Sequence, residues 1–173
     1  HIQNEKIQIT FSVGIAKEKL NLFTKADIAL HHSKENKSRV STYKENANIE
    51  KKYKQNIAMA TSIREALMNN RIICHYQPII NASTNEIDKY ETLVRMIDKN
   101  GLIIPPIEFL DISKKTKLYS HITLEVINQA CNTFENRSEN FSVNLSIDDI
   151  KDPNTVYEIV KAITTTKTAS RII

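Results

Sequence analysis

The residues best suited to chemistry lie in DKYETLVRMIDKNG, residues 88–101, an otherwise apolar run that is typical of a buried strand. Glu91 lies in the middle of this run, and Arg95 follows four residues later. A carboxylate that is removed from water is stable only beside a cation or a metal ion. Glu91 is therefore predicted to have a partner, either a cationic side chain or a bound metal.

Three predicted strands each carry polar side chains on one face, because successive side chains of a strand alternate between its two faces. The polar faces hold His75 and Gln77 in the first strand, Glu91, Leu93 and Arg95 in the second, and Ser142, Asn144 and Ser146 in the third. An antiparallel sheet with one face in water would show the same alternation without any function. A barrel covered by helices would instead turn these side chains toward its interior, where ligands bind near the strand ends. The alternation alone leaves both interpretations open.

Other polar groups are weaker candidates. His31 and His32 are adjacent, so on a helix they point about 100° apart, and they are predicted to be surface residues rather than a metal pair. His75 is predicted to be a hydrogen-bonded core histidine, with contact to a ligand as the alternative. Asp148 and Asp149 follow the third strand and are predicted to cap the next turn rather than to touch a metal or substrate.

Composition argues against several classes of partner. The net charge is +4, but the lysines are spread among acidic neighbours, which is typical of a solvated surface and not of a nucleic-acid footprint. No apolar run approaches the roughly 18 residues of a membrane span, and HIQNEKIQIT lacks the pattern of a secretory signal. Cys74 and Cys131 have no metal-binding or redox spacing and are predicted to be reduced core residues of a cytoplasmic protein.

The start of the chain predicts two strands and one helix, which are too few elements to bury a core. IQITFSVGIA, residues 7–16, is predicted to be the first strand and RVSTY, residues 39–43, the second. The helix between them is expected at residues 25–34, with Thr24 as its N-cap and Asp27 completing a capping box.

A long helix is predicted at residues 44–70, because apolar residues keep to one stripe and neither Gly nor Pro interrupts it. At 1.5 Å per residue this helix would be about 40 Å long, which suits a rigid connector between two domains. Its residues Ile49, Tyr53 and Ile57 are predicted to pack on their own domain, with contact in a homodimer as the alternative.

The rest of the chain alternates strands with helices. IICHYQPII and IDKYETLVRMI predict a hairpin across the turn NASTNE. Helices are predicted at 106–117 and 120–135, before FSVNLSI, residues 141–147, forms a strand. Pro153 can begin a further helix, and another strand is expected to start near residue 173. This order predicts an α/β fold with a parallel sheet or a barrel.

Four motifs in the order YQPII, YETLVRM, GLIIPPIEFL and FSVNLSI resemble the first half of an EAL domain. EAL domains are phosphodiesterases that hydrolyse the bacterial second messenger cyclic di-GMP. Glu91-Thr92-Leu93 stands where this family has Glu-Ala-Leu. The resemblance covers roughly residues 60–173 and implies a partial (β/α) barrel of the TIM-like type.

The N-terminal segments ITFSVGIA and ADIALHHSKENKSRV resemble the last strand, helix and strand of a GGDEF domain, the diguanylate cyclase fold. Together the two resemblances divide the chain into three parts. Residues 1–45 would be the end of a GGDEF-like domain, residues 46–70 a connector helix, and residues 71–173 the N-terminal half of an EAL domain.

The EAL resemblance implies that Glu91 and Asn144 are catalytic residues that bind Mg²⁺ or Mn²⁺. Hard divalent ions do take oxygen ligands from such side chains. A pair of metal ions can polarise the scissile phosphate and supply hydroxide as the nucleophile.

The resemblance also implies four substrate contacts. Arg95 would bind a phosphate of cyclic di-GMP, for which a planar guanidinium is well suited. Gln77 would contact the nucleotide, and Leu93 and Pro106 would line the same groove.

Two departures from the family pattern are expected to be neutral. Thr92 replaces the motif alanine on the side of the strand away from the metal. Ser113 and Lys114 replace Ala-Glu on what is expected to be a helix surface.

The remaining acidic ligands and the lysine of the family would lie beyond Ile173. The chain is therefore expected to be an inactive portion of a parent that converts cyclic di-GMP to linear pGpG. One alternative is a degenerate EAL domain that binds cyclic di-GMP without cleaving it, and another is a regulatory scaffold that dimerises.

Overall fold

The computed structural model describes residues 9–17, 20–44 and 47–173. The chain divides between residues 56 and 57 into two units. The division falls inside helix α2, so the three-part division expected from the sequence stays a prediction.

In the first unit, β1 (Val13–Ile15) and β2 (Val40–Thr42) pair in parallel and are connected by helix α1 (Leu22–Glu35). Helix α1 lies directly on β1, because Gly14 has no side chain. A Cβ atom at Gly14 would lie 2.2 Å from the carbonyl oxygen of Ala26. Of the longer strand expected at residues 7–16, residues 7 and 8 lie outside the described residues and residues 9–12 are not in a strand.

The predicted cap of α1 is wrong. The helix begins at Leu22, after Asn21 in a left-handed conformation, so Thr24 lies inside the first turn. Asp27 accepts a hydrogen bond from the hydroxyl of Tyr53 instead of closing a capping box. This bond raises the pKa of Tyr53 to about 12. The ring of Tyr53 also packs edge to face with the ring of His31, with the two ring centroids 6.2 Å apart, so Tyr53 packs within its own unit as predicted.

Helix α2 (Ala47–Met68) confirms most of the helix predicted at residues 44–70, and its role as a connector stays a prediction. It ends where Asn70 adopts a left-handed conformation with φ 54° and the backbone N–H of Arg71 donates to the carbonyl oxygen of Ala66. Asn tolerates this conformation better than most residues, which makes it a common helix stop.

The sheet of the second unit is organised around β4 (Ile87–Ile97). As predicted, β3 (Ile72–Ile80) pairs antiparallel with β4 across a short turn. The other edge of β4 pairs with two further strands at different places. The short strand β5 (Ile103–Ile104), absent from the sequence prediction, pairs with residues 96 and 97. Strand β6 (Asn140–Val143) runs parallel to residues 89–92. Among the described strands, none pairs with residues 93–95 on this edge.

Four helices complete this unit: α3 (Pro106–Lys115), α4 (Tyr119–Phe134), α5 (Ile147–Lys151) and α6 (Pro153–Thr165). Pro106 and Pro153 each occupy the first turn of their helix, where a missing N–H removes no hydrogen bond. An isolated parallel bridge between Phe141 and Ile172 agrees with the strand expected at the end of the sequence. The fold is mixed α/β, and closure of a barrel stays a prediction.

Strand β6 is shorter than the predicted strand 141–147. It ends at Val143 because Ser146 begins helix α5 through a reciprocal capping box with Asp149. Leu145 consequently does not continue the apolar face of Phe141 and is 41% exposed. Asp149 fulfils its predicted capping role.

The core beneath the sheet centres on Phe134, on the predicted apolar side of α4. Its ring stacks on the ring of Phe141, with the two ring centroids 4.5 Å apart. It also packs edge to face with the ring of Tyr76, with the centroids 5.2 Å apart. Tyr76 in turn donates from its hydroxyl to Thr133 Oγ1 at 2.9 Å. Rings from α4, β3 and β6 thus hold the apolar side of the sheet against one helix.

Replacing Phe134 with Ala should lower the free energy of unfolding of this unit by about 3–5 kcal/mol, because it leaves a large cavity in a fully buried cluster. Urea unfolding followed by circular dichroism measures the change. The matched control is Phe23→Ala, since Phe23 is 88% exposed and its loss should change stability by less than about 0.5 kcal/mol. Equal effects of the two substitutions would contradict this description of the core.

Candidate active site

The register of the sheet places Glu91 at the centre of a polar row. Gln77 of β3 lies directly opposite Glu91 in the antiparallel pair. Ser142 of β6 lies opposite Glu91 on the other edge. Residues opposite one another in a sheet project from the same face, so Gln77, Glu91 and Ser142 line up across three strands.

Asn144 joins this row from just beyond the end of β6. Its Nδ2 donates a hydrogen bond to Glu91 Oε1 over 3.0 Å. The two groups predicted to share a metal ion therefore lie next to each other, although they are 53 residues apart in the chain.

The distance between these two groups fits a divalent cation. If the amide of Asn144 rotates by half a turn, Oδ1 takes the place of Nδ2, about 3.0 Å from the carboxylate. Two oxygens bound to one Mg²⁺ at about 2.1 Å in octahedral geometry are also about 3.0 Å apart. Within the described ranges, no group of three or more His, Cys, Asp or Glu side chains is arranged to hold a metal. Glu91 and Asn144 thus supply at most three oxygens, fewer than the six or so ligands that such an ion takes.

The predicted substrate residues are distributed around this pair. Leu93 follows on the same face of β4, opposite His75. Pro106 begins α3 and lines a cavity together with Leu93 and Asn144. Leu93 and Pro106 therefore lie beside Asn144 of the pair.

Arg95 does not form an ion pair with Glu91. Residues four apart on a strand are separated by about 13 Å, and the Nη1 of Arg95 donates to the carbonyl oxygen of Val94 at 2.8 Å. The partner of Glu91 in the structure is the neutral amide of Asn144. Glu91 and Arg95 are therefore available for separate roles on one face of β4.

Two residues near the pair differ from their sequence interpretation. His75 is exposed on the polar face, so the prediction of a hydrogen-bonded core histidine is wrong. Ser142 lies opposite Glu91, a proximity that the sequence does not predict. Only the pairing of β4 with β6 shows this proximity, and sequence patterns do not determine that register.

Comparison with known proteins shows the family of this chain. The EAL domain family matches residues 60–173. The chain belongs to the EAL domain family. It is 32% identical over 137 residues to the signaling protein YkoW of Bacillus subtilis, an alignment that covers 75% of this chain and 17% of YkoW. It is 27% identical to the bifunctional diguanylate cyclase/cyclic di-GMP phosphodiesterase MucR of Pseudomonas aeruginosa, covering 75% of this chain and 20% of MucR.

A solved structure of the same family is also similar. The FimX EAL domain from Pseudomonas aeruginosa, bound to c-di-GMP, superposes with a TM-score of 0.57 at 26% identity. The match covers 65% of this chain and 45% of that structure. This chain therefore spans less than half of that EAL structure and about a fifth or less of the two curated relatives.

One departure of this EAL domain from the family pattern is not a surface feature. Ser113 is fully buried, so its expected place on a helix surface is wrong. Its hydroxyl donates to the carbonyl oxygen of Leu110 at 2.7 Å, which satisfies it inside the helix. Lys114 is exposed and places its Nζ over the ring of Tyr119 at 4.9 Å.

Thr92, the residue in place of the motif alanine, is 3% exposed. It lies on the side of β4 that faces the helices, as expected. Within the described part of the EAL domain, its Oγ1 has no hydrogen-bond partner. A buried hydroxyl without a partner costs about 1–3 kcal/mol, so we expect this replacement to lower stability.

The thiol of Cys74 takes no part in the chemistry of the polar face. It lies on the opposite face of β3 and approaches the carbonyl oxygen of Val126 at 3.8 Å. Burial raises the pKa of Cys74 to about 11. At neutral pH it is a thiol, which is neither a good nucleophile nor a metal ligand.

Replacing Thr92 with Val should raise the free energy of unfolding by about 1–3 kcal/mol, because the shape is kept and the unpaired hydroxyl is removed. Thr155→Val is the matched control, for which the free energy of unfolding should fall instead of rise. Thr155 is equally buried at 2% exposure, and its Oγ1 donates to Asp152 Oδ2 at 2.6 Å. Urea unfolding of both variants tests this contrast, and a loss of stability in Thr92→Val would contradict it.

Alkylation of Cys74 by iodoacetamide at pH 8 should be at least about tenfold slower in the folded chain than in urea, because the folded thiol ionises only near its raised pKa. Mass spectrometry of the Cys74 peptide measures the rate. The folded pKa lies above the ordinary value of 9.0. Because the folded chain keeps this proton more tightly than the unfolded chain, the raised pKa contributes to the free energy of unfolding. This contribution is complete below pH 9 and is lost as the pH rises toward 11. Equal rates in the two conditions would show that the thiol is accessible and ionised.

Proposed function

We propose that the full-length protein hydrolyses cyclic di-GMP to linear pGpG by metal-assisted cleavage of a phosphodiester bond. The hydrogen bond between Glu91 and Asn144 carries this proposal, because it holds two oxygen-bearing groups at the spacing of two ligands on one divalent ion. Membership of the EAL family and similarity to the phosphodiesterase MucR support the choice of substrate.

Glu91 and Asn144 are the proposed catalytic metal ligands, for Mg²⁺ or Mn²⁺. When bound, such an ion polarises the phosphodiester and lowers the pKa of a coordinated water. Because the two residues supply only part of a coordination shell, the remaining ligands must come from elsewhere in the protein or from water. We therefore expect residues 1–173 alone to be inactive.

The other residues of the polar face are proposed to position the substrate. The guanidinium of Arg95 uses one nitrogen for the carbonyl of Val94, which leaves further N–H donors for a phosphate. Gln77 lies opposite Glu91 and presents an amide to the nucleotide. Leu93 and Pro106 provide apolar surface for a base.

A binding role without catalysis is the second candidate. It is favoured by the finding that the described residues contain no cluster of three acidic or imidazole ligands. In this case the domain would hold cyclic di-GMP through Gln77 and Arg95. Calorimetry separates the two roles, since a pure binder would have the same affinity with and without the divalent ion and would release no linear product.

The N-terminal unit is proposed to be the end of a GGDEF-like domain, with its parallel β1–α1–β2 arrangement as the supporting feature. A dimer through α2 is a further proposal that light scattering would test. Of the residues expected at the dimer contact, Tyr53 already packs on Asp27 and Ile57 is 50% exposed.

Across the described residues, no helix is long and apolar enough to cross a membrane. A cytoplasmic location and the absence of nucleic-acid binding stay predictions.

Replacing Glu91 with Ala should reduce the hydrolysis of cyclic di-GMP by the full-length protein about 100-fold or more, because a metal ligand contributes several kcal/mol to the transition state. Product formation with Mg²⁺ or Mn²⁺ is followed by chromatography of pGpG. Glu91→Gln keeps an acceptor for Asn144 but removes the charge, and it should be equally impaired.

Glu86→Ala is the control for this experiment, since Glu86 is an exposed glutamate in the turn before β4. It should retain full activity. Turnover that persists in both Glu91 variants would refute the metal-ligand role of this residue.

A further inference from the structure

A cavity of about 130 Å³ lies on the side of β4 that faces α3 and α4, behind the polar face. Its walls are mainly apolar and include Leu110 of α3, Ile122 and Val126 of α4, and Val143 of β6. Thr92 also lines this cavity. Tyr119 and Thr123, which also bear hydroxyls, belong to the lining as well. The cavity is therefore a mainly apolar space with a few hydroxyl-bearing side chains in its wall.

The cavity lies beside a gap in the sheet. Residues 93–95 of β4 lie between the segments that pair with β6 and β5, so no described strand fills this part of the edge. Leu93 and Asn144, which belong to the polar face, line the cavity as well. The cavity consequently reaches from the helices to the edge of the candidate active site.

Thr92 gives the cavity a specific chemical preference. Its side chain is more than nine-tenths buried, and no hydrogen bond to its Oγ1 exists within the described residues. A hydroxyl can both donate and accept a hydrogen bond. A molecule with one polar atom beside an apolar body would satisfy this hydroxyl and fill the surrounding space.

The size of the cavity limits the ligand to a small molecule. An engineered apolar cavity of about 150 Å³ in another protein binds benzene. A space of about 130 Å³ would accordingly accept a single ring or a short branched chain of similar volume.

We propose that this cavity is a binding site for a small neutral organic molecule with one hydroxyl or carbonyl group, anchored by the hydroxyl of Thr92. Phenol and short-chain alcohols have this chemistry. The cavity shares Leu93, Pro106 and Asn144 with the candidate active site. The inference nevertheless rests on Thr92 and the apolar wall, so it does not depend on the proposed phosphodiesterase activity.

Phenol and toluene are suitable probes, because they differ only by a hydroxyl in place of a methyl group. Saturation-transfer NMR titrations of the full-length protein measure the dissociation constant of each. In Thr92→Val, the ratio of the phenol constant to the toluene constant should rise about 5- to 10-fold relative to the unmodified protein, since one buried hydrogen bond is lost. The use of a ratio removes the intrinsic difference in hydration between the two probes.

Two further variants locate the binding. Leu110→Phe adds a ring at a half-buried position of the wall and should abolish binding of both probes, with circular dichroism to verify folding. Thr164→Val changes an exposed threonine on α6 whose hydroxyl bonds to the carbonyl of Val160. It should leave both constants unchanged.

Two results would overturn the proposal. One is that neither phenol nor toluene binds to the unmodified protein at concentrations up to the solubility limit of the probe. The other is an unchanged ratio in Thr92→Val, which would mean that the hydroxyl is satisfied by water alone. The second result decides the matter even if Leu110→Phe does not fold.

Discussion

Strand β4 has partners on both of its edges, and this pairing determines where the candidate site residues lie. Glu91 cannot move independently of its neighbours, because β3 fixes it opposite Gln77 and β6 fixes it opposite Ser142. A shift of one residue in either ladder would turn Glu91 toward the apolar core. The alternation of apolar and polar residues in all three strands makes such a shift unfavourable, so burial on one face specifies the chemistry of the other.

Helix α4 stabilises this register from the apolar side. Phe134 packs against rings from β3 and β6, which joins the two strands that flank β4. A polar side chain assists, since Gln129 Nε2 donates to the carbonyl oxygen of Ile72 at 2.6 Å and to Glu125 Oε1 at 2.7 Å. Arg171 holds the far end of the helix by donating from Nη1 to the carbonyl oxygen of Phe134 at 2.7 Å. Interactions on the apolar side therefore hold together the strands that carry the polar face.

Sequence patterns predicted the elements well where local periodicity dominates. The hairpin of β3 and β4 and the apolar side of α4 follow from two-residue and helical repeats, and both are confirmed. The end of β6 was missed because the capping box of Ser146 and Asp149 competes with the apolar Leu145, and the hydrogen bonds of the cap prevail. Thr24 failed as a cap because Asn21 adopts a left-handed conformation earlier.

The site was predictable in part. Strand alternation placed Glu91 and Asn144 on polar faces, but their contact depends on a parallel register between distant strands, which no local pattern encodes. The burial of Ser113 and the missing partner of Thr92 depend on how helices pack on the sheet. These details arise from three-dimensional packing, so they appear only in the structure.

The parallel ladder between β4 and β6 also has a consequence for the order of folding. The β3–β4 hairpin closes a short turn, whereas the contact of Glu91 with Asn144 closes a loop of 53 residues. Loop closure costs more entropy as the loop lengthens, and long-range parallel pairing is slow to form. The hairpin should consequently assemble early and the Glu91–Asn144 pair late, so nascent or partly unfolded chains would contain the hairpin before they contain the pair.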